Sequence, residues 1–171
     1  VFVDTVRSSG GNNKDRYLMV PGYAAAFAGA THPDFRLPSD TADNRIILSV
    51  HAYTPYNFAL QEGGVRTFEI NRSSSTNEID YFMDLLYNSF ISKGIPVVIG
   101  EFGARDKNSN LQDRVNFMAY YVASATARGM TCIVWDNHAF TGDGELFGLL
   151  DRITVKWRYP EIVEAMLKYA Q

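Results

Sequence analysis

The run Pro96-Val97-Val98-Ile99-Gly100-Glu101-Phe102-Gly103 places a lone carboxylate at the end of a fully apolar segment. Between Gly94 and Gly100 the pattern reads as a short strand buried on both faces. Glu101 sits where that strand emerges, a position that suits a nucleophile, a general base or a metal ligand. It equally suits an N-cap or a salt-bridged rim residue, and this stretch alone leaves both readings open. Two other apolar runs also end in reactive or ring-bearing side chains. Ile46 to Val50 leads into His51-Ala52-Tyr53-Thr54-Pro55-Tyr56-Asn57-Phe58, and Met130 to Trp135 leads into Asp136-Asn137-His138. A His or Tyr donating to a carboxylate keeps it ionised and aimed, as a nucleophile needs, and a Trp beside it offers a floor for a sugar ring.

The elements that must carry these residues follow from the hydrophobic pattern. Strand signals fall on Tyr17 to Val20, Ile46 to Val50, Ile95 to Ile99 and Met130 to Trp135, none with the polar alternation of a half-exposed strand. A capping box at Ser75-Thr76-Asn77-Glu78 opens a helix whose stripe, Ile79, Phe82, Leu85, Leu86 and Phe90, runs to Gly94. A second stripe, Val115, Met118, Ala119, Val122 and Ala125, closes at Gly129, and Pro160 fits the first turn of a last helix. Ala24 to Ala28 predicts one or two helical turns in an otherwise irregular first connection. Val1 to Arg7 reads as the tail of a helix stopped at Gly10-Gly11, which predicts a processed or truncated piece. Strands alternating with helices imply a parallel sheet with right-handed crossovers in a single domain over residues 1–171.

Composition narrows the function classes. A net charge of −3 gives no electrostatic reason to expect nucleic acid or anionic membrane as a partner. No apolar stretch approaches the roughly 18 residues of a membrane span, and no signal peptide is visible. The one cysteine, Cys132, lies in an apolar run and predicts a buried thiol with no disulfide framework. The Asp and His residues show no metal-ligand spacing, and no cofactor is implied.

The motifs His51-Ala52-Tyr53-Thr54-Pro55, Ile99-Gly100-Glu101-Phe102-Gly103 and Val134-Trp135-Asp136-Asn137 resemble the last third of glycoside hydrolase family 5, above all its endo-β-1,4-glucanases. The likeness runs over nearly the whole chain, from the fifth barrel strand to the final helix. It implies an α/β fold that is part of a (β/α)₈ barrel, a half barrel of about four parallel strands, acting on β-glucan. It makes Glu101 the catalytic nucleophile of a retaining hydrolase, with His51 and Tyr53 as its active-site partners. Trp135 becomes the sugar-stacking Trp, with Tyr56, Asn137 and His138 as substrate-binding residues along the cleft. Family members are usually secreted, and the resemblance carries that expectation over.

The same resemblance implies an absence. Such barrels typically need about 250 residues. The family's acid/base Glu follows an Asn on an earlier strand, whereas Asn77-Glu78, the one Asn-Glu pair here, lies in the capping box. A retaining glycosidase needs two carboxyl groups about 5 Å apart, and this chain carries one of them. The isolated chain is therefore expected to be inactive, its partner being either the missing N-terminal half barrel or a second copy in a homodimer. A non-catalytic carbohydrate-binding protein, stacking sugar on Trp135, Tyr53 and Tyr56, is the alternative from another class.

Overall fold

The computed structural model describes residues 1–170. Four strands, β1 (Leu18–Ala26), β2 (Ile46–His51), β3 (Val97–Phe102) and β4 (Thr131–Val134), form a parallel sheet in sequential order. Helices α4 (Ser73–Ser89) and α5 (Leu111–Ala127) make the crossovers, and α6 (Pro160–Tyr169) packs against α5. Shorter elements complete the chain: α1 (Phe2–Ser8), α2 (Phe27–Ala30), α3 (Tyr56–Ala59), and the two-stranded antiparallel pair β5 (Leu150–Asp151) and β6 (Lys156–Trp157).

The core lies between the sheet and its helices. Leu48 and Val50 of β2 and Val97 and Ile99 of β3 meet Ile79, Phe82, Met83 and Leu86 of α4 and Phe117, Met118 and Tyr121 of α5. Each fully buried side chain of this size contributes about 1.5–3 kcal/mol. Phe102 stacks on Tyr121 with centroids 4.6 Å apart, and the Tyr121 hydroxyl donates to the Ala52 carbonyl at 2.8 Å. That bond ties α5 to the backbone between His51 and Tyr53.

Several expected boundaries move. Helix α4 starts at Ser73 with Arg72 as its N-cap, and Ser75 Oγ instead accepts from the Glu69 backbone N–H at 3.3 Å. The expected capping box is therefore not what opens the helix. The alanine run does not coil where the sequence predicts. Ala24 and Ala25 sit at φ of 53° and 55° inside a break of β1, and the helical turn begins only at Phe27. Gly22 lets β1 pass close to α2, since a Cβ there would lie 2.8 Å from the Ala30 backbone nitrogen. Cys132 is half-buried on β4, and burial pushes its thiol up to about 12.

Strand β3 runs further than its apolar stretch, through Glu101 to Phe102. The Glu101 carbonyl accepts from the Ala52 N–H at 3.0 Å and the Phe102 carbonyl from the Trp135 N–H at 2.8 Å. Its pairing also slips. Val50 and His51 of β2 face Ile99 and Glu101, and Ile99 and Phe102 face Cys132 and Val134 of β4. Strand β3 thus holds one residue more than either neighbour around Gly100-Glu101, a β-bulge.

Candidate active site

The bulge decides where Glu101 points. In an unbroken strand Val97, Ile99 and residue 101 would share one face, and that face is packed against the helices. The extra residue returns Phe102 to the helix side, against Tyr121, and turns Glu101 to the opposite face, where its side chain is 29% exposed. Gly100 makes room for this turn, because a Cβ there would lie 2.8 Å from Ser49 Oγ and 3.6 Å from the His51 ring.

On that face His51 and Tyr53 meet the carboxylate. The Tyr53 hydroxyl donates to Glu101 Oε2 at 3.1 Å, and His51 Nδ1 lies 3.4 Å from the same oxygen. Both partners gather on Oε2, so Oε1 is the oxygen they leave for a third group. Burial, then the Glu101 charge, raises the Tyr53 phenol well above its ordinary value, and the hydrogen bond to Glu101 adds to the rise. The phenol therefore stays protonated and remains a donor. Trp135 follows β4, 40% exposed, with its backbone bonded to Phe102, next in sequence to Glu101.

The remaining predicted residues lie away from the Glu101 carboxylate's hydrogen bonds. Tyr56 opens α3 and stands 58% exposed, clear of the carboxylate's bonds. Asn137 spends its side-chain amide on its own loop: Oδ1 accepts from the Ala139 and Phe147 N–H groups at 3.0 and 3.3 Å, and Nδ2 donates to the Glu145 carbonyl at 2.7 Å. His138, at φ 61°, places Nδ1 3.1 Å from the Leu150 carbonyl oxygen and its ring edge-on to Phe140. Glu78 is exposed on α4.

Residues without a motif hold the rim together. Arg105 donates to the Leu60 and Gly144 carbonyls at 3.2 and 2.9 Å, joining the loops after β2, β3 and β4. Lys107 reaches the Asn57 and Val65 carbonyls at 2.7 and 2.9 Å, and burial, with Arg105 beside it, lowers its ammonium to about 8. A hollow of about 450 Å³ lies between these loops, but Arg66, Arg105 and Lys107 around it are committed to backbone carbonyls. Beneath the rim, buried Arg114 donates to the Ala104 carbonyl at 3.0 Å and lies 3.4 Å from Asp106, which accepts from the Tyr159 hydroxyl at 2.9 Å.

Comparison with known proteins gives this arrangement a family. Over 168 residues the chain is 44% identical to endoglucanase B of Neocallimastix patriciarum, covering 98% of this chain and 34% of that protein. It superposes on the lichenase of Caldicellulosiruptor sp. F32, solved with cellotetraose, with a TM-score of 0.98 and 65% identity, over 99% of this chain and 47% of the other. A broad-specificity endoglucanase from Ruminococcus champanellensis with bound cellotriose gives a TM-score of 0.89 at 47% identity, over 97% of this chain and 47% of that one. The chain thus spans less than half the length of these relatives, and its four strands correspond to half of their (β/α)₈ barrel. The family model described as Cellulase (glycosyl hydrolase family 5) matches residues 1–141. With the motifs, the fold and the relatives in agreement, this chain belongs to glycosyl hydrolase family 5, the cellulases.

Proposed function

We propose that this chain supplies the nucleophile half of a retaining endo-β-1,4-glucanase, with Glu101 as the attacking carboxylate. The convergence of Tyr53 and His51 on Oε2 alone carries the reading. It fixes the carboxylate while leaving Oε1 a free lone pair for an anomeric carbon. Attack by Oε1 forms a glycosyl ester as the bond to the leaving oxygen breaks, and water then cleaves that ester. Protonation of the leaving oxygen falls to a general acid about 5–5.5 Å away, which the reading assigns to the other half of the barrel. Trp135 serves as the stacking floor, and the substrate is cellulose or a related β-glucan outside the cell.

A fluorinated cellobioside with a dinitrophenolate leaving group tests this, because that group departs without an acid. The expected result is covalent labelling of Glu101 in a barrel completed by joining this chain behind the first half of the Caldicellulosiruptor sp. F32 lichenase. Labelling that survives Glu101→Gln would overturn the assignment. Cello-oligosaccharide binding with no labelling in either form would favour a purely binding role.

A further inference from the structure

We propose that Phe147, locked in place by Asn137, is a positioning residue that holds the Tyr53 phenol on the Glu101 carboxylate. Phe147 lies in the loop after β4, far in sequence from both, yet it is 2% exposed and its ring centroid is 5.5 Å from that of Tyr53. Its ring also presses on the backbone just beyond Glu101-Phe102: a Cβ on Gly103 would lie 3.2 Å from Phe147 Cδ1. The ring therefore fills the slot between Tyr53 and the carboxyl end of β3. A phenol turns about its χ angles unless a wall stops it, and this tilted ring contact is such a wall.

The wall is itself anchored from several sides. Asn137 Oδ1 accepts from the Phe147 N–H, and Asn137 Nδ2 holds the Glu145 carbonyl. Asp136 Oδ1 accepts from the Leu149 N–H at 2.9 Å, and the Leu146 carbonyl accepts from the Asp106 N–H at 2.8 Å. Gly148 lets the loop close, since a Cβ there would lie 2.6 Å from Phe140 Cε1. Asn137 thus reaches the carboxylate through Phe147 and Tyr53.

The inference rests on Glu101 being the nucleophile, and a double-mutant cycle in the completed barrel separates the two claims. Turnover of dinitrophenyl cellobioside is measured for Phe147→Ala in the presence of Tyr53 and in the Tyr53→Phe background. Phe147→Ala is expected to slow kcat about tenfold when the Tyr53 hydroxyl is present and less than about twofold when it is absent. Phe147→Leu, which refills the slot, is expected to recover most of the rate. Asn137→Ala, which keeps the ring and loosens its loop, is expected to show the same dependence on the hydroxyl and serves if Phe147→Ala folds poorly. Equal losses in both Tyr53 backgrounds, or no loss in either, would overturn the positioning role. Full turnover by Glu101→Ala would instead overturn the nucleophile reading beneath it.

Discussion

The Tyr53 hydroxyl and the His51 ring nitrogen both gather on one oxygen, Oε2, which makes Glu101 an asymmetric carboxylate. The Tyr53 bond to Oε2 involves a charged acceptor, a class worth about 1.5–3 kcal/mol. Tyr53→Phe is accordingly expected to cut kcat by about ten- to a hundredfold in the completed barrel, read from steady-state rates on an activated cellobioside. Because the phenol is held well above its ordinary value, its hydroxyl remains a donor through neutral and mildly alkaline pH. The alkaline limb of the Tyr53-dependent rate should thus lie above that of an ordinary tyrosine, and a limb at or below pH 10 would contradict it. The motif residues His51, Tyr53 and Glu101 were legible in the sequence as a set, because each follows a strand signal. Asn137 and His138 were legible as motif neighbours only. Their side chains bond to their own loop and its neighbours, a fact fixed by φ angles and carbonyl positions that no residue type announces.

At the scale of elements, the bulge in β3 is what converts an apolar strand into a presenter of charge. Gly100→Ala would push a Cβ to 2.8 Å from Ser49 Oγ, and it is expected to destabilise the fold by about 1–3 kcal/mol. Ser49→Ala in the same chain should recover part of that loss, both read from urea unfolding midpoints. A second element-scale contact ties α1 to the segment before β2. Arg7 grips Asp40 through two bonds, at 2.7 and 2.6 Å, with both side chains nearly enclosed. The Arg7 hydrogen bond holds the Asp40 carboxyl down at about 2, below its ordinary 3.8. A folded value below the unfolded one gives stability that is complete above about pH 4 and lost as pH falls through about 2. Asp40→Asn should flatten that acid limb in a pH series of thermal unfolding curves. The helices over 73–89 and 111–127 were readable from their apolar stripes, and the parallel order from strand–helix alternation. The bulge was not, since one extra residue leaves no mark on composition.

At the scale of the molecule, the sheet ends at β1 and β4 with the apolar side chains Met19 and Ile133 45% and 50% exposed. Beside β4 runs a groove of about 450 Å³ lined by Phe102, Val122, Cys132, Val134, Met166 and Leu167. Open parallel edges and an apolar groove are features that recruit a partner surface. Co-expression with the first half of the Caldicellulosiruptor sp. F32 lichenase is expected to give a one-to-one complex by light scattering. A chain that stays separate from that half would count against barrel completion.

The sequence by itself determined the order of strands and helices, the carboxyl-end placement of Glu101, His51, Tyr53 and Trp135, and the family. Periodicity and short motifs are local properties, and they survive without any knowledge of neighbours. Only the tertiary structure decided that Glu101 turns away from the helices, that Tyr53 and His51 both meet Oε2, and that Phe147 stands behind Tyr53. Those outcomes depend on register and on contacts between residues 48 and 94 positions apart, which packing alone sets.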